Sequence, residues 1–555
     1  MAFTSEPPIP RCIIFSPHQP DPSNPASQPR RLLRLLRKIL AIAGSLIATL
    51  HTPAQQPASP VGAIVPHRYL VAYRNGSVPG NTEAFARIAG ARILRIHQPF
   101  GVAILQTDST ANEAATIAAL RAQPNVEFVI HDRILSAHNL ILRHILPATI
   151  GITIGAPPTP TPPPVAPPAA PYDTYYTATP QGWAVGQSGG YGAGVPGGPA
   201  RGPWDKTLGA GVRIAILDSG VDATHPDIAP NLAFNLSEID QSPITGGLPS
   251  PCDDGSPQDQ QGHGTWTASL AAGAMGPGTG LTIGVAPAAT LLNIKVIERL
   301  PDPASTAPDI ATQCATGQAS GLLSWVIQGI EDAIAQHVDV INLSLGTLVD
   351  LDTGEGAGLK ATFDRVTYAA AQAGAVVIAS AGNDGLNLTN PRYIELPAQA
   401  RDVLAIVAST NPACAEDLNP GATCAPGPIT LPYYSNFGAP LNAIAAPGGS
   451  YPDGPDAAIS GWIRGACSNG IANTSDGLPT DSTHSFGCFN LGHTPYVQAM
   501  GTSASAALVT GAAALLRAAN PTWSPAQTIT ALRASAIPTS TLPAAPVLNP
   551  ATLIP

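Results

Sequence analysis

Apolar residues recur along this chain in two rhythms. Between residues 62 and 138 the runs are short and alternate with polar positions. RYLVAYRNG reads as a strand ending at the turn pair Asn75-Gly76. NTEAFARIAGARIL reads as a helix, with Asn81 as its cap and Glu83 in its first turn. FGVAILQT is a second strand, ANEAATIAALRAQPNV a second helix stopped by Pro124, and EFVIHDRILSA a last strand. This is the pattern of a small α+β domain. From Trp204 to about Ala536 the apolar runs become continuous and β-branched: VRIAILD, ATLLNIKVI, VDVINLSLG, AVVIASAGN and VLAIVAST. Helical stretches such as GLLSWVIQGIEDAIAQH and TFDRVTYAAAQAG lie between them. Buried strands alternating with helices predict an α/β fold, a mostly parallel central sheet with helices on both faces. Residues at the carboxyl edge of such a sheet are where a site is expected.

Three segments fall outside these rhythms. Residues 1–54 form a leader: RRLLRLLRK is basic, ILAIAGSLIATL is apolar, and Ala54 is a small residue before a cleavage point. That order is the order of a secretory signal, so the chain is expected to be exported. The apolar run is about a dozen residues, short of the ~20 a spanning helix needs, so no stable membrane anchor is expected. The other reading of this run is a basic amphipathic helix on a membrane surface. Residues 139–200 are a linker, first proline-rich (PPTPTPPPVAPPAAP) and then glycine-rich, because each proline lacks a backbone donor. Residues 538–555, after the large domain at 201–537, read as an Ala/Pro-rich tail without an apolar anchor.

Composition narrows the class. Only 11% of the 555 residues are charged, against ~25% in an average soluble protein, and the net charge is −10. No basic stripe follows the leader, which excludes nucleic acid as the expected partner. Of seven cysteines, Cys12 lies in the leader. The remaining set is even, shows no C-x-x-C, and in an exported chain points to disulfides. Six cysteines allow 15 pairings. Sequence proximity favours Cys414–Cys424 and Cys467–Cys488, leaving Cys252–Cys314, with buried free thiols as the alternative.

Chemistry concentrates in three segments. ILDSGVDATHPDI ends a buried strand on Asp218, QGHGTWTASLAAG sets His263 between glycines at a helix start, and MGTSASAALVTGAAALL places Ser503 at the N-terminus of a long apolar helix. Alone, each residue has a bland reading: a turn-capping aspartate, a core histidine, an N-cap serine. Together they supply what nucleophilic catalysis requires. A serine hydroxyl needs a base within reach, the base needs a partner to fix its tautomer, and the helix terminus favours developing negative charge.

These segments resemble the subtilisin-like serine proteases. D-S-G-V-D at 218–222, G-H-G-T at 262–265 and G-T-S-A-S at 501–505 match the family's three catalytic motifs, so the resemblance implies a serine endopeptidase with Asp218, His263 and Ser503 as its triad. S-A-G-N at 380–383 resembles the segment whose asparagine, here Asn383, completes the oxyanion hole. The segment Ser344, Leu345, Gly346 resembles the strand that pairs with substrate, and Ser380, Ala381, Gly382 the wall of the specificity pocket. Y-S-N-F-G at 434–438 and A-A-P-G at 445–448 are further landmarks. The resemblance implies that 62–138 is an inhibitory pro-domain, cut off at a site in the linker. It implies polypeptide substrates, a monomer, no cofactor for the chemistry, and a structural calcium ion with Asp227 as a ligand, although the loop Met275–Ile283 lacks an expected asparagine. Trp266 departs from the family and is expected to add bulk beside the site. Sedolisins share G-T-S-A-S but replace the histidine by glutamate and the oxyanion asparagine by aspartate, whereas both His263 and Asn383 stand here. An α/β-hydrolase would need its acid and base after the serine, and here the serine comes last. A catalytically inactive binding protein is the remaining alternative.

Overall fold

The computed structural model describes residues 62–137, 182–192, 201–239, 250–275, 282–302, 305–315, 317–411, 429–450, 463–471, 475–476, 488–491 and 494–554. These lie within one compact unit, Ser59–Pro555. The leader, most of the linker, Cys414 and Cys424 fall outside the described residues.

The N-terminal domain runs β1 (Ile64–Tyr73), α1 (Thr82–Ile88), β2 (Ala91–His97), β3 (Val102–Thr107), α2 (Glu113–Arg121) and β4 (Val126–Ala137). β1 pairs antiparallel with both β3 and β4, and β2 pairs with β3. The single helix expected over NTEAFARIAGARIL is instead a helix and a strand: Gly90, at φ +72°, ends the helix and ARILRIH becomes β2. Alternation sorts the strand residues by face. Tyr69, Val71, Leu105 and Val129 pack with Ala86 of α1 and Leu120 of α2. Leu70, Ala72, Ile104 and Ile130 face the other way and join the core of the large domain.

After a short helix, α3 (Trp183–Gln187), the large domain supplies β5 (Arg213–Asp218), β6 (Leu232–Ser237), α4 (His263–Ala272), β7 (Thr290–Lys295), β8 (Glu298–Arg299), β9 (Ala319–Leu322), α5 (Leu323–Ala335), β10 (Val340–Leu343), β11 (Leu345–Asp350), α6 (Gly354–Gln372), β12 (Val376–Ser380), β13 (Tyr393–Leu396), β14 (Val403–Ser409) and β15 (Ile444–Pro447). Then come β16 (Ile463–Ala466), β17 (Ser475–Asp476), β18 (Cys488–Leu491), β19 (Thr494–Ala499), α7 (Thr502–Ala519), α8 (Pro525–Ser535), β20 (Ile537–Thr539) and β21 (Leu542–Val547). Among the described residues the central sheet has the order β20-β21-β15-β14-β12-β10-β5-β7-β6. Its pairs from β21 through to β6 are parallel. Both faces are buried, as continuous apolar runs require. Ile214, Ile216, Val376, Ile378, Leu404 and Ile406 point to the layer of α4 and α7. Ala215, Leu217, Val377, Ala379 and Val407 point to α5 and α6.

Two expectations change. The segment 538–555 is no loose tail: β21 pairs with β15, and Leu542, Ala545, Val547, Leu548 and Leu553 are buried. Its alanines and prolines hid a strand in which Leu542, Ala545 and Val547 are buried. The glycine-rich stretch 182–192, placed in the linker, packs Ala184 and Val185 against the same core layer as Trp204.

Candidate active site

Asp218 ends β5, and the chain turns through Ser219 and Gly220 (φ +104°). His263 opens α4, with its Nδ1 2.6 Å from Asp218 Oδ1 and both side chains fully buried. Ser219 N donates to the same Oδ1 at 2.7 Å and Thr267 Oγ1 to Oδ2 at 3.2 Å, so the carboxylate is fixed from three sides. Gly264 explains the glycine after the histidine: a Cβ there would stand 2.0 Å from Gly220 O. Asp259 locks the two loops together. It accepts from Ser219 Oγ, Gln261 N, Gly262 N, Thr265 N and Thr265 Oγ1. Burial raises its carboxyl above the usual value, partly offset by the Thr265, Gly262 and Gln261 donors.

Ser503 lies in the first turn of α7, which packs against α4, β10 and β12. Its Oγ donates to Ser344 O at 3.2 Å, and Ser344 Oγ donates back to Ser503 O at 3.1 Å. Asn342 Nδ2 donates to Ser344 Oγ, and Thr510 Oγ1 donates to Asn342 Oδ1. This chain of bonds ties the end of β10 to α7. Asn383 follows β12. Its Oδ1 accepts from Thr502 N at 3.0 Å and Thr502 Oγ1 at 2.9 Å, which fixes the amide. Its Nδ2 is left buried, with no hydrogen-bond partner among the described residues. A buried donor held this way beside the Ser503 helix terminus is what an oxyanion hole requires.

The strand expected to pair with substrate is occupied by the chain itself. Leu345 pairs with Ala137 and Gly346 with Ser136, antiparallel, at the end of β4. On the other edge of β4, Ile134, Leu135 and Ser136 pair with Leu322, Gly321 and Ser320 of β9. Residues 134–137 are thus the middle strand between β9 and β11. The rest of the N-terminal domain is seated on the helices behind. Asp132, fully buried, takes Arg68 Nε at 2.8 Å and accepts from Ser324 N and Ser324 Oγ in the first turn of α5, where the helix dipole favours an anion. Glu355 of α6 accepts from His131 N and Arg133 Nη2 and bonds His131 Nδ1. Although burial raises its carboxyl, the His131 and Arg133 contacts hold it below its usual value.

Asp227, the expected calcium ligand, is fully buried, and its Oδ2 accepts from Thr282 N at 3.2 Å, Thr282 Oγ1 at 3.0 Å and Tyr496 OH at 3.3 Å. Residues 276–281 of the loop expected to supply further ligands fall outside the described residues. Neighbouring His225 donates from Nε2 to Pro495 O and accepts at Nδ1 from Asp227 N, the pattern of a neutral ring, and burial lowers its pKa. No cluster of three His, Cys, Asp or Glu side chains suited to a metal occurs among the described residues. Trp266 adds no bulk to the cleft. It is fully buried, donates from Nε1 to Ile463 O of β16 and sets its ring edge-on to His263 at 5.9 Å. Cys252 and Cys314 form a disulfide, and Cys467 is also disulfide-bonded.

Sequence reasoning missed Thr502, which orients Asn383, although it sits inside G-T-S-A-S. Of the other landmarks, Asn436 Oδ1 accepts from Asp384 N and Leu386 N, and Tyr434 OH donates to Gly448 O beneath Gly501.

The likeness to known proteins follows these elements. Thermitase of Thermoactinomyces vulgaris is 32% identical over 262 residues, covering 46% of this chain and 72% of that protein. The intracellular serine protease of Paenibacillus polymyxa is 33% identical over 185 residues, 33% of this chain and 44% of that protein. Subtilisin E of Bacillus subtilis is 29% identical over 319 residues, 58% of each. The last two matches thus span about half the length of those relatives. In fold, the chain resembles the epidermin leader peptide processing serine protease of Staphylococcus aureus, with a TM-score of 0.54 and 17% identity over 88% of this chain and 97% of that one. It resembles fervidolysin of Fervidobacterium pennivorans equally, with a TM-score of 0.54 and 18% identity over 90% of this chain and 62% of that one. The Subtilase family model matches residues 209–549, more than half of the chain, and the chain belongs to that family.

Proposed function

We propose that the chain is an exported serine endopeptidase made as a precursor that processes itself. The observation carrying this reading is the buried Asp218–His263 bond of 2.6 Å at the sheet edge where Ser503 and the Asn383 Nδ2, without a hydrogen-bond partner among the described residues, also stand. Ser503 Oγ attacks the scissile carbonyl while His263 takes its proton. Asp218 holds the imidazole in the productive tautomer and stabilises its charged form. Asn383 Nδ2 and the Ser503 backbone N–H receive the oxyanion. His263 then protonates the leaving amine, and water hydrolyses the acyl-enzyme by the same relay. The steps draw on side chains and backbone alone.

Residues 62–137 act as an intramolecular inhibitor. Support comes from β4, which adds a strand between β9 and β11 where a polypeptide substrate would pair. Processing falls in the linker beyond it, and the leader's basic-then-apolar order supports export.

The test is Ser503→Ala. The exported wild type is expected to lose about its first 200 residues, in keeping with a boundary at the end of the linker, and to cleave casein. The variant is expected to keep its N-terminal domain and cleave nothing. N-terminal sequencing and gel sizing read the first result; casein release reads the second. Full activity in the variant sinks the assignment, and identical processing of both forms sinks self-maturation.

A further inference from the structure

Asp259, fully buried in the loop ahead of His263, takes no part in the reaction above. Its carboxylate reaches both halves of the Asp218–His263 pair through their neighbours. Oδ1 accepts from Ser219 Oγ at 2.9 Å, Gln261 N at 3.0 Å and Gly262 N at 2.7 Å. Oδ2 accepts from Thr265 N at 2.9 Å and Thr265 Oγ1 at 2.6 Å. Ser219 directly follows Asp218, and Gly262 directly precedes His263. The two flanks are also joined to each other. Ser219 Oγ accepts from Gly264 N at 2.9 Å, and Gln261 Oε1 accepts from His263 N at 3.0 Å. One side chain thus ties the end of β5 to the start of α4, where the 2.6 Å Asp218–His263 bond is made.

The carboxylate is itself held from behind. Three successive carbonyls around it accept from three different parts of the large domain: Gln258 O from Lys295 Nζ of β7, Asp259 O from Ser468 Oγ, and Gln260 O from Arg299 Nη1 of β8. Lys295 stands opposite Asp218 in the sheet, so the loop is seated on the strand pair that carries the catalytic acid. A buried carboxylate is costly unless its lone pairs are filled, and here both oxygens are filled. An asparagine does not reproduce this. An amide accepts at one end only, and its NH2 would face either the Thr265 N–H or the Gln261 and Gly262 N–H groups.

We propose that Asp259 is a positioning residue: its carboxylate sets the His263 imidazole against Asp218 and so governs the rate of the chemical step without touching substrate. This rests on the serine endopeptidase reading above. The Asp218–His263 bond joins side chains on two separate elements, and misplacing a catalytic group by about 1 Å costs on the order of 10²-fold in rate. The bonds of the Asp259 carboxylate run to the ends of β5 and α4, not to β9 and β11 where substrate would pair, so substrate binding is spared.

The test compares mature wild type, Asp259→Asn and Ser219→Ala, the variants being processed by a tagged wild type that is then removed. Steady-state kinetics on a peptide anilide is read beside the thermal melt and the downfield resonance of the His263 Nδ1 proton. Asp259→Asn is expected to lower kcat on the order of 10²-fold with KM unchanged, and to shift or abolish the resonance. Ser219→Ala, which removes a single donor, is expected to lower kcat about tenfold with KM unchanged. It decides the matter if Asp259→Asn does not fold. Wild-type kcat in a folded Asp259→Asn or in Ser219→Ala, a rise in KM without loss of kcat, or a fall in kcat that leaves the resonance in place overturns the inference alone. A wild type that neither labels with a fluorophosphonate nor cleaves the anilide or casein overturns the endopeptidase reading and this inference with it.

Discussion

In the proposed mechanism, the Asn383 donor owes its aim to Thr502, the residue before Ser503. Asn383 could present either end of its amide, and only the two Thr502 donors on Oδ1 turn Nδ2 outward. Asn383→Ala is therefore expected to lower kcat by ~10²–10³ with little change in KM, because the lost bond forms only as charge develops. Steady-state kinetics on a peptide ester, with an unchanged thermal melt as control, checks this. Gly264 makes a second residue-scale case. Gly264→Ala must move either the Asp218 turn or α4, since the added carbon would meet Gly220 O at 2.0 Å. Activity is expected to fall by at least 10²-fold, the cost of misplacing a catalytic group by about 1 Å; near-wild-type rates would refute it. Residues of this kind were legible because small neighbours and reactive side chains recur within a few positions of one another. Thr502 was not. Its contact with Asn383 arises only when α7 is set against the end of β12, which no local spacing announces.

At the scale of elements, the legible part was the interior of the sheet, where every residue of a run such as VVIAS is buried and the run leaves no other assignment. The edges were harder. ARILRIH alternates buried and exposed positions only weakly, and its continuity with a helix made it read as helix until Gly90 is seen to turn the chain. LPAAPV carries too few apolar residues to stand out, yet β21 closes the far side of β15. That closure is testable. Leu542 is 1% exposed in the core layer that includes Val547 and Leu441. Leu542→Ala is expected to cost about 2–5 kcal/mol in chemical denaturation, as buried leucine truncations do. A cost below about 0.5 kcal/mol, the range of surface substitutions, would mean that the strand is dispensable.

Across the whole molecule, the N-terminal domain is held by two kinds of contact that respond differently to conditions. One is apolar: Leu70, Ile104 and Ile130 share a core with Leu359 and Phe363 of α6. The other is ionic and includes Glu355, which His131 and Arg133 hold below its ordinary value of 4.5 despite its partial burial. Glu113 is likewise lowered, first by the His67 N–H it accepts and further by Tyr69, His67 and His131. A carboxyl depressed in the folded state contributes stability that is present above its unfolded pKa and is lost as pH falls through the folded one. The seat of β4 is therefore expected to hold from neutrality down to about 4.5 and to loosen below that as Glu355 and Glu113 take up protons. Hydrogen exchange of residues 126–137 in the full-length Ser503→Ala chain, compared at neutral pH and about one unit below the ordinary glutamate value, reads this directly. Protection of the strand is expected to fall in acid. Glu355→Gln should start with less protection at neutral pH and lose less on acidification, since the charge that His131 and Arg133 engage is already gone. Equal acid sensitivity in both proteins would place the response in other carboxyls, and no sensitivity in either would mean that the apolar face alone retains the domain.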